Sequence, residues 1–205
     1  MDTFVYKDHK KLRCGYTTGT CAAIAAQGAV RFLLTGSWKE TEEIMTPKGI
    51  PVCVSLEEKT SGDSWAECAV RKDAGDDYDV TNGILVYARA EFVKDKNFYE
   101  KVQMSHLESS GFGVAGEKPG LSPENQKQQK KANVAHQKEA LPESLVRIDG
   151  GIGIGRITKS GLDQPVGAAA INSVPRKMIR DAVYELLEEA GELRLVSITI
   201  SVPAG

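Results

Sequence analysis

The sequence predicts an α+β fold in which a mixed or antiparallel sheet packs against helices. Runs of alternating apolar and polar residues, typical of half-buried strands, follow one another directly along the chain. Two longer segments have helical apolar spacing and residues that start or end helices. Strand and helix do not alternate regularly, as they would in a parallel α/β fold.

The first helix is predicted from residue 20 to residue 34. Thr18 or Thr20 is expected to cap its N-terminus, and Gly36 stands where a left-handed C-terminal residue belongs. The first half of this helix, with the sequence CAAIAA, has very small side chains. It can therefore approach a sheet or a ligand closely.

Four strands are predicted after this helix. The first two form a hairpin around the turn at residues 46–49, where Pro and Gly occur. A polar, acidic turn region separates the other two. The four strands span residues 43–45, 50–56, 65–70 and 84–92.

Residues from about 98 to 144 differ from the rest of the chain. Lys, Gln, Glu and Asn dominate this stretch, and few apolar residues are available for burial. We expect a polar, flexible insertion in a single domain that otherwise spans residues 1–205.

The second half is predicted to begin at residue 145 with a strand, a glycine-rich turn and a second short strand. Pro175 marks the first turn of a second helix, and Gly191 ends it. The residues at 196–202 alternate as in a closing half-buried strand. Five apolar residues fall on one face of the second helix: Ile179, Val183, Leu186, Leu187 and Ala190.

Composition excludes several classes of function. The formal net charge of −2 gives no electrostatic argument for binding nucleic acid or an anionic membrane. Neither a signal peptide nor a membrane-spanning segment is predicted, so a cytoplasmic location is expected. Four cysteines without a Cys-x-x-Cys pair and three scattered histidines predict thiols and no metal site.

The threonine loop, residues 15–21, leads into the first helix. Its sequence GYTTGTC offers hydroxyl groups and exposed backbone N–H groups at a helix N-terminus, which suits a carboxylate or a phosphate. The alternative is a capped helix whose small residues merely pack. No Walker motif is present, because no Gly-Lys-Ser/Thr occurs there.

The acidic loop, residues 72–83, has four carboxylates within seven residues. These groups could bind a hard cation or supply a base. A calcium loop is excluded, since Ile84 rather than Glu stands at position twelve when Asp73 is counted as position one. Spacing alone favours turn chemistry, although the repulsion between the adjacent Asp76 and Asp77 suggests a use.

The glycine loop, residues 148–156, does not fit a dinucleotide-binding motif in register. A glycine-rich hairpin that lets a large planar ligand approach the backbone fits better. Arg156, Lys159 and Arg176 are natural partners for ligand carboxylates. For any one of them taken singly, a surface cation beside an ordinary turn is the better explanation.

Three blocks in these segments resemble the cobalt-precorrin-5B C1-methyltransferase family, the CbiD family of anaerobic cobalamin biosynthesis. The blocks are GYTTGTCAAIAA, DAGDDYDVTNG and IDGGIGIGRITKSGLDQPVGAAAINSVPRKMI. They occur in the family's order and leave out the stretch from about 98 to 143. The resemblance implies a domain similar to ribosomal protein S5 domain 2. It also implies that this chain lacks the family's C-terminal Rossmann-like domain.

The resemblance implies methyl transfer from S-adenosyl-L-methionine to ring carbon C1 of cobalt-precorrin-5B, giving cobalt-precorrin-6A. Cobalt is then expected only within the substrate. Residue chemistry suggests that aspartates accept a proton or oppose the sulfonium charge. These candidates are Asp73, Asp76, Asp77 and Asp149. The candidates for substrate binding are Thr17, Thr18, Gly19, Thr20, Arg156, Lys159, Asn172 and Arg176.

Two other functions remain open at this level. One is a non-catalytic tetrapyrrole-binding module. The other is a small-molecule kinase of the galactokinase-like superfamily, which also places a small-residue loop before a helix; this is an analogy of fold alone. The partner expected is the cobalt-tetrapyrrole substrate, without nucleic acid or membrane, and association into a homo-oligomer is left open.

Overall fold

The computed structural model describes residues 4–7, 10–76, 79–94, 145–161 and 163–204. These residues belong to one compact unit, formed by Met1–Lys94 and Glu143–Gly205. The second unit, Asp95–Pro142, and the insertion expected at about 98–144 lie outside the described residues.

The described residues form two helices and nine strands. The helices are α1 (Thr18–Thr35) and α2 (Ser173–Ala190). The strands are β1 (Phe4–Lys7), β2 (Lys10–Arg13), β3 (Thr41–Met45), β4 (Pro51–Ser55), β5 (Glu57–Ser61), β6 (Trp65–Arg71), β7 (Leu85–Phe92), β8 (Val146–Gly150) and β9 (Val196–Ser201).

A five-stranded sheet in the order β5-β6-β7-β9-β8 forms the centre of this unit. β8 runs parallel to β9, and the other neighbouring strands run antiparallel. In β9, the buried Val196, Ile198 and Ile200 alternate with half-buried residues, as the sequence predicts. The sheet is therefore mixed, and the predicted α+β class is confirmed.

α1 is the most deeply buried helix of the described residues. It packs against β6, β7 and α2, and every residue from 20 to 30 is buried. The predicted start at residue 20 and the cap at Thr18 or Thr20 are wrong. Thr17 is the cap, because its Oγ1 accepts a hydrogen bond from the Thr20 N–H at 3.2 Å. The predicted end is confirmed, since Gly36 has φ 71°.

α2 buries one face, as predicted from its apolar spacing. Of the five residues named for this face, four are buried, and Ala182 joins them. Ala190 is exposed because it is the last residue of the helix. Gly191 follows with φ 62°, so the predicted terminator is confirmed.

Two hairpins form separate two-stranded sheets, β1-β2 and β3-β4. The β3-β4 hairpin and its turn match the prediction, and the Thr46 N–H donates to the Ile50 carbonyl at 3.0 Å. The sequence did not predict β1, β2 and β5. The residues of β2 and β5 are largely polar, so neither strand has the alternating apolar pattern. Neither described helix is long and apolar enough to cross a membrane.

The second short strand predicted after the glycine loop is wrong. Only a single antiparallel bridge forms there, between Arg156 and Ala169. Two further backbone hydrogen bonds extend the pairing: the Ile157 N–H donates to the Ala168 carbonyl, and the Gly167 N–H donates to the Ile157 carbonyl. Several glycines prevent a regular strand here, so the segment is a loop held by a few strand-like backbone hydrogen bonds.

Candidate functional site

The N-terminal turns of α1 and α2 lie against each other. A methyl group built on Gly19 would lie 2.8 Å from Pro175 Cγ, so only glycine lets the two turns approach this closely. Neither helix has an acidic residue in its first turn. Two positive helix ends therefore meet at one place, which favours an anion there.

The threonine loop uses its hydroxyl groups to start α1. Thr17 is exposed and caps the buried Thr20, and their hydroxyl oxygens lie 3.1 Å apart. The N–H groups of Thr18 and Gly19 are at the start of the helix and have no carbonyl acceptor within it, so they can donate to water or to a ligand. The four predicted site residues of this loop, Thr17 to Thr20, thus differ in role: Thr17 caps the helix, Thr18 and Gly19 offer N–H groups, and Thr20 is buried.

The side chain of Asp73 is paired with Arg13. Two bonds of 2.5 and 2.7 Å join the guanidinium to the two carboxylate oxygens, and the Gly75 N–H donates to Asp73 Oδ1 at 2.8 Å. The hydrogen bond from Arg13 is the main cause that lowers the pKa of Asp73. A carboxylate held in its ionised form in this way is a weak base.

The acidic loop is bound to the segment that precedes α1. Asp76 Oδ2 accepts the Arg13 N–H at 2.6 Å, and the Tyr16 N–H donates to the Asp73 carbonyl at 2.8 Å. Gly75, at φ 68°, forms a bridge with Cys14, and the backbones are so close that a side chain would not fit. Asp76 itself is exposed.

Lys72, whose side chain is buried, holds the acidic loop by contacts with Asp79 and Thr81. Its side chain is 5% exposed, and its ammonium group contacts the Asp79 carboxylate and, at 2.5 Å, the Thr81 hydroxyl. The bond from Lys72 is the main cause that lowers the pKa of Asp79. Asn82 Oδ1 accepts the Ala74 N–H at 2.9 Å. Turn chemistry therefore accounts for Asp79 and Asn82, while Asp77 lies outside the described residues.

Asp149 pairs with Arg156 across the glycine loop. Arg156 donates to the two carboxylate oxygens at 2.5 and 3.1 Å and to the Gly150 carbonyl at 3.0 Å. The bond from Arg156 is the main cause that lowers the pKa of Asp149. Both side chains remain about half exposed, so the pair lies at the surface of the site.

Arg176 joins the start of α2 to the glycine loop. Its guanidinium donates to the carbonyls of Ile171, Ile148 and Ala169 at 2.8, 2.9 and 3.1 Å. Burial is the main cause that lowers the pKa of Arg176. These three hydrogen bonds go to backbone carbonyls, and the nearby charges of Asp149 and Asp163 partly offset the effect of burial.

Three further residues define the start of α2. Asp163 accepts hydrogen bonds from the Ser173 N–H and, at 2.5 Å, from the Ser173 hydroxyl, so it takes the capping role. Asn172 occupies the cap position without a side-chain capping bond and is exposed. Lys159 is exposed as well.

The structure brings the three predicted segments together. The threonine loop contacts the acidic loop through Tyr16, and it contacts α2 through Gly19. α2 in turn holds the glycine loop through Arg176. Sequence reasoning missed Arg13, since its partner Asp73 is 60 positions away in sequence. It also missed the capping role of Asp163. The only signal in the sequence was that Asp163 is a polar residue located before the helix, ten positions from Ser173.

No three His, Cys, Asp or Glu side chains converge as a metal-binding group within the part of the chain that the structure describes. The chemistry that this site offers is instead anion binding. Backbone N–H groups open at the start of α1, and Arg176 joins the start of α2 to the glycine loop. The ion pairs Arg13–Asp73 and Arg156–Asp149 lie in the adjoining loops.

Comparison with known proteins identifies the family. The CbiD family matches the chain over residues 5–128 and 125–205. A cobalt-precorrin-5B C(1)-methyltransferase of Clostridioides difficile is 36% identical over 100% of this chain and 46% of its own length. The enzyme of the same name from Thermoanaerobacter sp. is 35% identical over 100% of this chain and 42% of its own length.

A solved structure shares the fold. The cobalamin biosynthesis protein (cbiD) of Archaeoglobus fulgidus superposes with a TM-score of 0.54 at 23% identity, over 98% of this chain and 48% of that protein. This chain therefore spans less than half the length of these relatives. On the match over nearly its whole length, the chain belongs to the CbiD family.

Proposed function

We propose that this chain binds cobalt-precorrin-5B by its peripheral carboxylates and takes part in its methylation at C1 by S-adenosyl-L-methionine. The observation that carries the proposal is the convergence of the three segments around the two helix starts. The names of the relatives supply the reaction, since they are cobalt-precorrin-5B C(1)-methyltransferases. No comparison supports the kinase alternative.

The substrate would be held by groups that favour negative charge. Its macrocycle is flat and carries carboxylates on its rim, so a site needs donors on several sides rather than one deep pocket. The N–H groups of Thr18 and Gly19 supply donors at α1. Lys159 supplies an exposed cation at the glycine loop, and Arg156, paired with Asp149, supplies a half-exposed guanidinium.

Asp76 is the aspartate that best suits a role at the reacting centre. Asp73 and Asp149 are each neutralised by a guanidinium, from Arg13 and Arg156. Asp76 is exposed and forms no salt bridge with another described residue. Its carboxylate is therefore available to oppose the positive charge of the sulfonium. It could equally accept the proton that the substrate loses when C1 is methylated.

S-adenosyl-L-methionine would supply an electrophilic methyl group on a sulfonium. Transfer of that methyl needs in-line approach by a carbon nucleophile, so positioning of the macrocycle dominates the requirement on the protein. The junction between residues 13–16 and the acidic loop provides such positioning, because five backbone and side-chain hydrogen bonds fix it.

The experiment mixes the purified chain anaerobically with cobalt-precorrin-5B and S-adenosyl-L-methionine. Visible absorbance follows tetrapyrrole binding, and mass spectrometry follows the gain of one methyl group. Asp76→Asn is expected to preserve the absorbance change and to reduce methylation. Asp63→Asn, in the exposed turn between β5 and β6, is the matched control.

Each outcome has a distinct meaning. A spectral change with methylation supports the whole proposal. A spectral change without methylation assigns tetrapyrrole binding to this portion and the donor site to the remainder of the longer relatives. Absence of any spectral change contradicts the proposal, because binding of the rim carboxylates is its first step.

A further inference from the structure

We propose that Arg180 is a second guanidinium on α2 that, beside Arg176, binds a carboxylate of the ligand. This inference rests on the proposed function and adds a residue to its site. Arg180 was not among the candidates that the sequence suggested. Its placement on the helix and its lack of partners carry the argument.

Arg180 lies one helical turn after Arg176. Residues four apart on a helix are neighbours on the same face, with Cβ atoms about 5–6 Å apart. Arg176 is fixed by its three backbone carbonyls, so the position of the pair relative to the glycine loop is defined. Arg180 therefore lies on the same face of α2 as Arg176, one turn further along the helix.

Arg180 has unused hydrogen-bonding capacity. The residue is half-buried, and its Nε is shielded and donates to no acceptor, within the part of the chain that the structure describes. Buried donors are nearly always paired, so an unpaired one requires an explanation. A carboxylate takes Nε–H and Nη–H of a guanidinium together, which makes it a fitting acceptor.

The local charge balance points the same way. Arg180 and Arg156 both help to lower the pKa of Arg176, after burial as the main cause, while Asp149 and Asp163 raise it. Asp149 is already paired with Arg156, and Asp163 is occupied by Ser173. The guanidinium groups of Arg156, Arg176 and Arg180 are thus near only two described carboxylates, and both of these already have partners. A bound anion would relieve the repulsion between Arg176 and Arg180.

A neighbouring lysine shows the contrast and offers a control. Lys177 is on the same helix and is exposed, and its ammonium group pairs with Asp181 at 2.6 Å. It has the i,i+4 partner that Arg180 lacks. Removing the charge of Lys177 changes the net charge of α2 equally but leaves the Arg176–Arg180 pair intact.

The test is an anaerobic absorbance titration of the full chain with cobalt-precorrin-5B. Arg180→Gln is expected to raise Kd about tenfold, the effect of losing one charge-assisted hydrogen bond. Arg180→Lys retains the charge without the fork and is expected to raise Kd about threefold. Lys177→Gln is expected to stay within about twofold of the unchanged chain.

A second measurement separates binding from a structural role. Without ligand, Arg180→Gln is expected to melt at the same temperature as the unchanged chain or higher, because it removes a repulsive, unpaired charge. A lower melting temperature together with unchanged Kd would overturn the inference and make Arg180 structural. Equal Kd values for Arg180→Gln and Lys177→Gln would overturn it as well.

The two proposals fail differently. If the unchanged chain gives no absorbance change with cobalt-precorrin-5B, the proposed function fails, and the role of Arg180 with it. If the unchanged chain binds and Arg180→Gln binds equally well, only the inference about Arg180 fails.

Discussion

Replacing Gly75 by Ala tests the junction between the threonine and acidic loops. Gly75 has φ 68°, and an added Cβ would lie 2.2 Å from the Arg13 carbonyl oxygen and 2.6 Å from the Gly15 nitrogen. Left-handed backbone costs a residue with a side chain about 1–2 kcal/mol. Overpacking against fixed neighbours adds about 1–3 kcal/mol. Together these two terms lower the free energy of unfolding by about 2–5 kcal/mol.

Gly83→Ala is the matched control for this change. Gly83 also has positive φ, 79°, but nothing lies within 4 Å of an added Cβ. Its substitution should carry only the backbone term of about 1–2 kcal/mol. Replacing glycine by alanine also restricts the unfolded chain, which reduces both losses by about 0.4–1 kcal/mol and leaves a net loss of about 1–5 kcal/mol for Gly75→Ala.

The assay is urea unfolding followed by circular dichroism, in the same buffer for the unchanged chain and both variants. The difference between the variants isolates the collision of Gly75 with the backbone of residues 13–15. Equal losses for Gly75→Ala and Gly83→Ala would refute the close approach. Gly75→Ala should also weaken cobalt-precorrin-5B binding, because it separates the two loops.

Three further predictions concern the caps and charges of the site. Thr17→Ala should lower the free energy of unfolding by about 1 kcal/mol by removing the α1 cap, and Thr17→Ser should restore it in the same urea assay. The lowered pKa of Asp73 contributes stability that is present above its unfolded value of 3.8 and is lost as pH falls through the folded value. Asp73→Asn should therefore flatten the acid side of a plot of stability against pH, whereas Asp63→Asn should leave the curve unchanged. Arg176→Met should lower stability by about 1–3 kcal/mol, since it leaves carbonyls of the glycine loop unpaired; a loss below 0.5 kcal/mol would contradict that role.

The elements that depend on local patterns were predictable from the sequence. The apolar residues of α2 have helical spacing and those of β9 alternate with polar residues, and the buried residues of both elements agree with these patterns. Gly36 was recognisable because few other residues adopt the left-handed conformation at a helix end. Strand β5, with the sequence EEKTS, has no such pattern and forms by pairing with β6.

The site was predictable as a set of segments but not as a set of contacts. Hydroxyl, acidic and glycine-rich residues mark the three loops in the sequence. Their partners come from distant positions: Arg13 reaches Asp73 across 60 positions, and Arg176 reaches Ile148 across 28. Only the fold decides that Asp73 forms a salt bridge with Arg13 while Asp76 accepts just a backbone N–H, so the sequence could not rank these aspartates.

The central claim is that the threonine, acidic and glycine loops form one binding surface around the starts of α1 and α2. Hydrogen–deuterium exchange with and without cobalt-precorrin-5B tests this claim directly. We predict that the ligand slows exchange in all three loops and in the first turns of both helices, while the β3-β4 hairpin is unaffected. Protection confined to one loop, or centred on the β3-β4 hairpin, would contradict the claim.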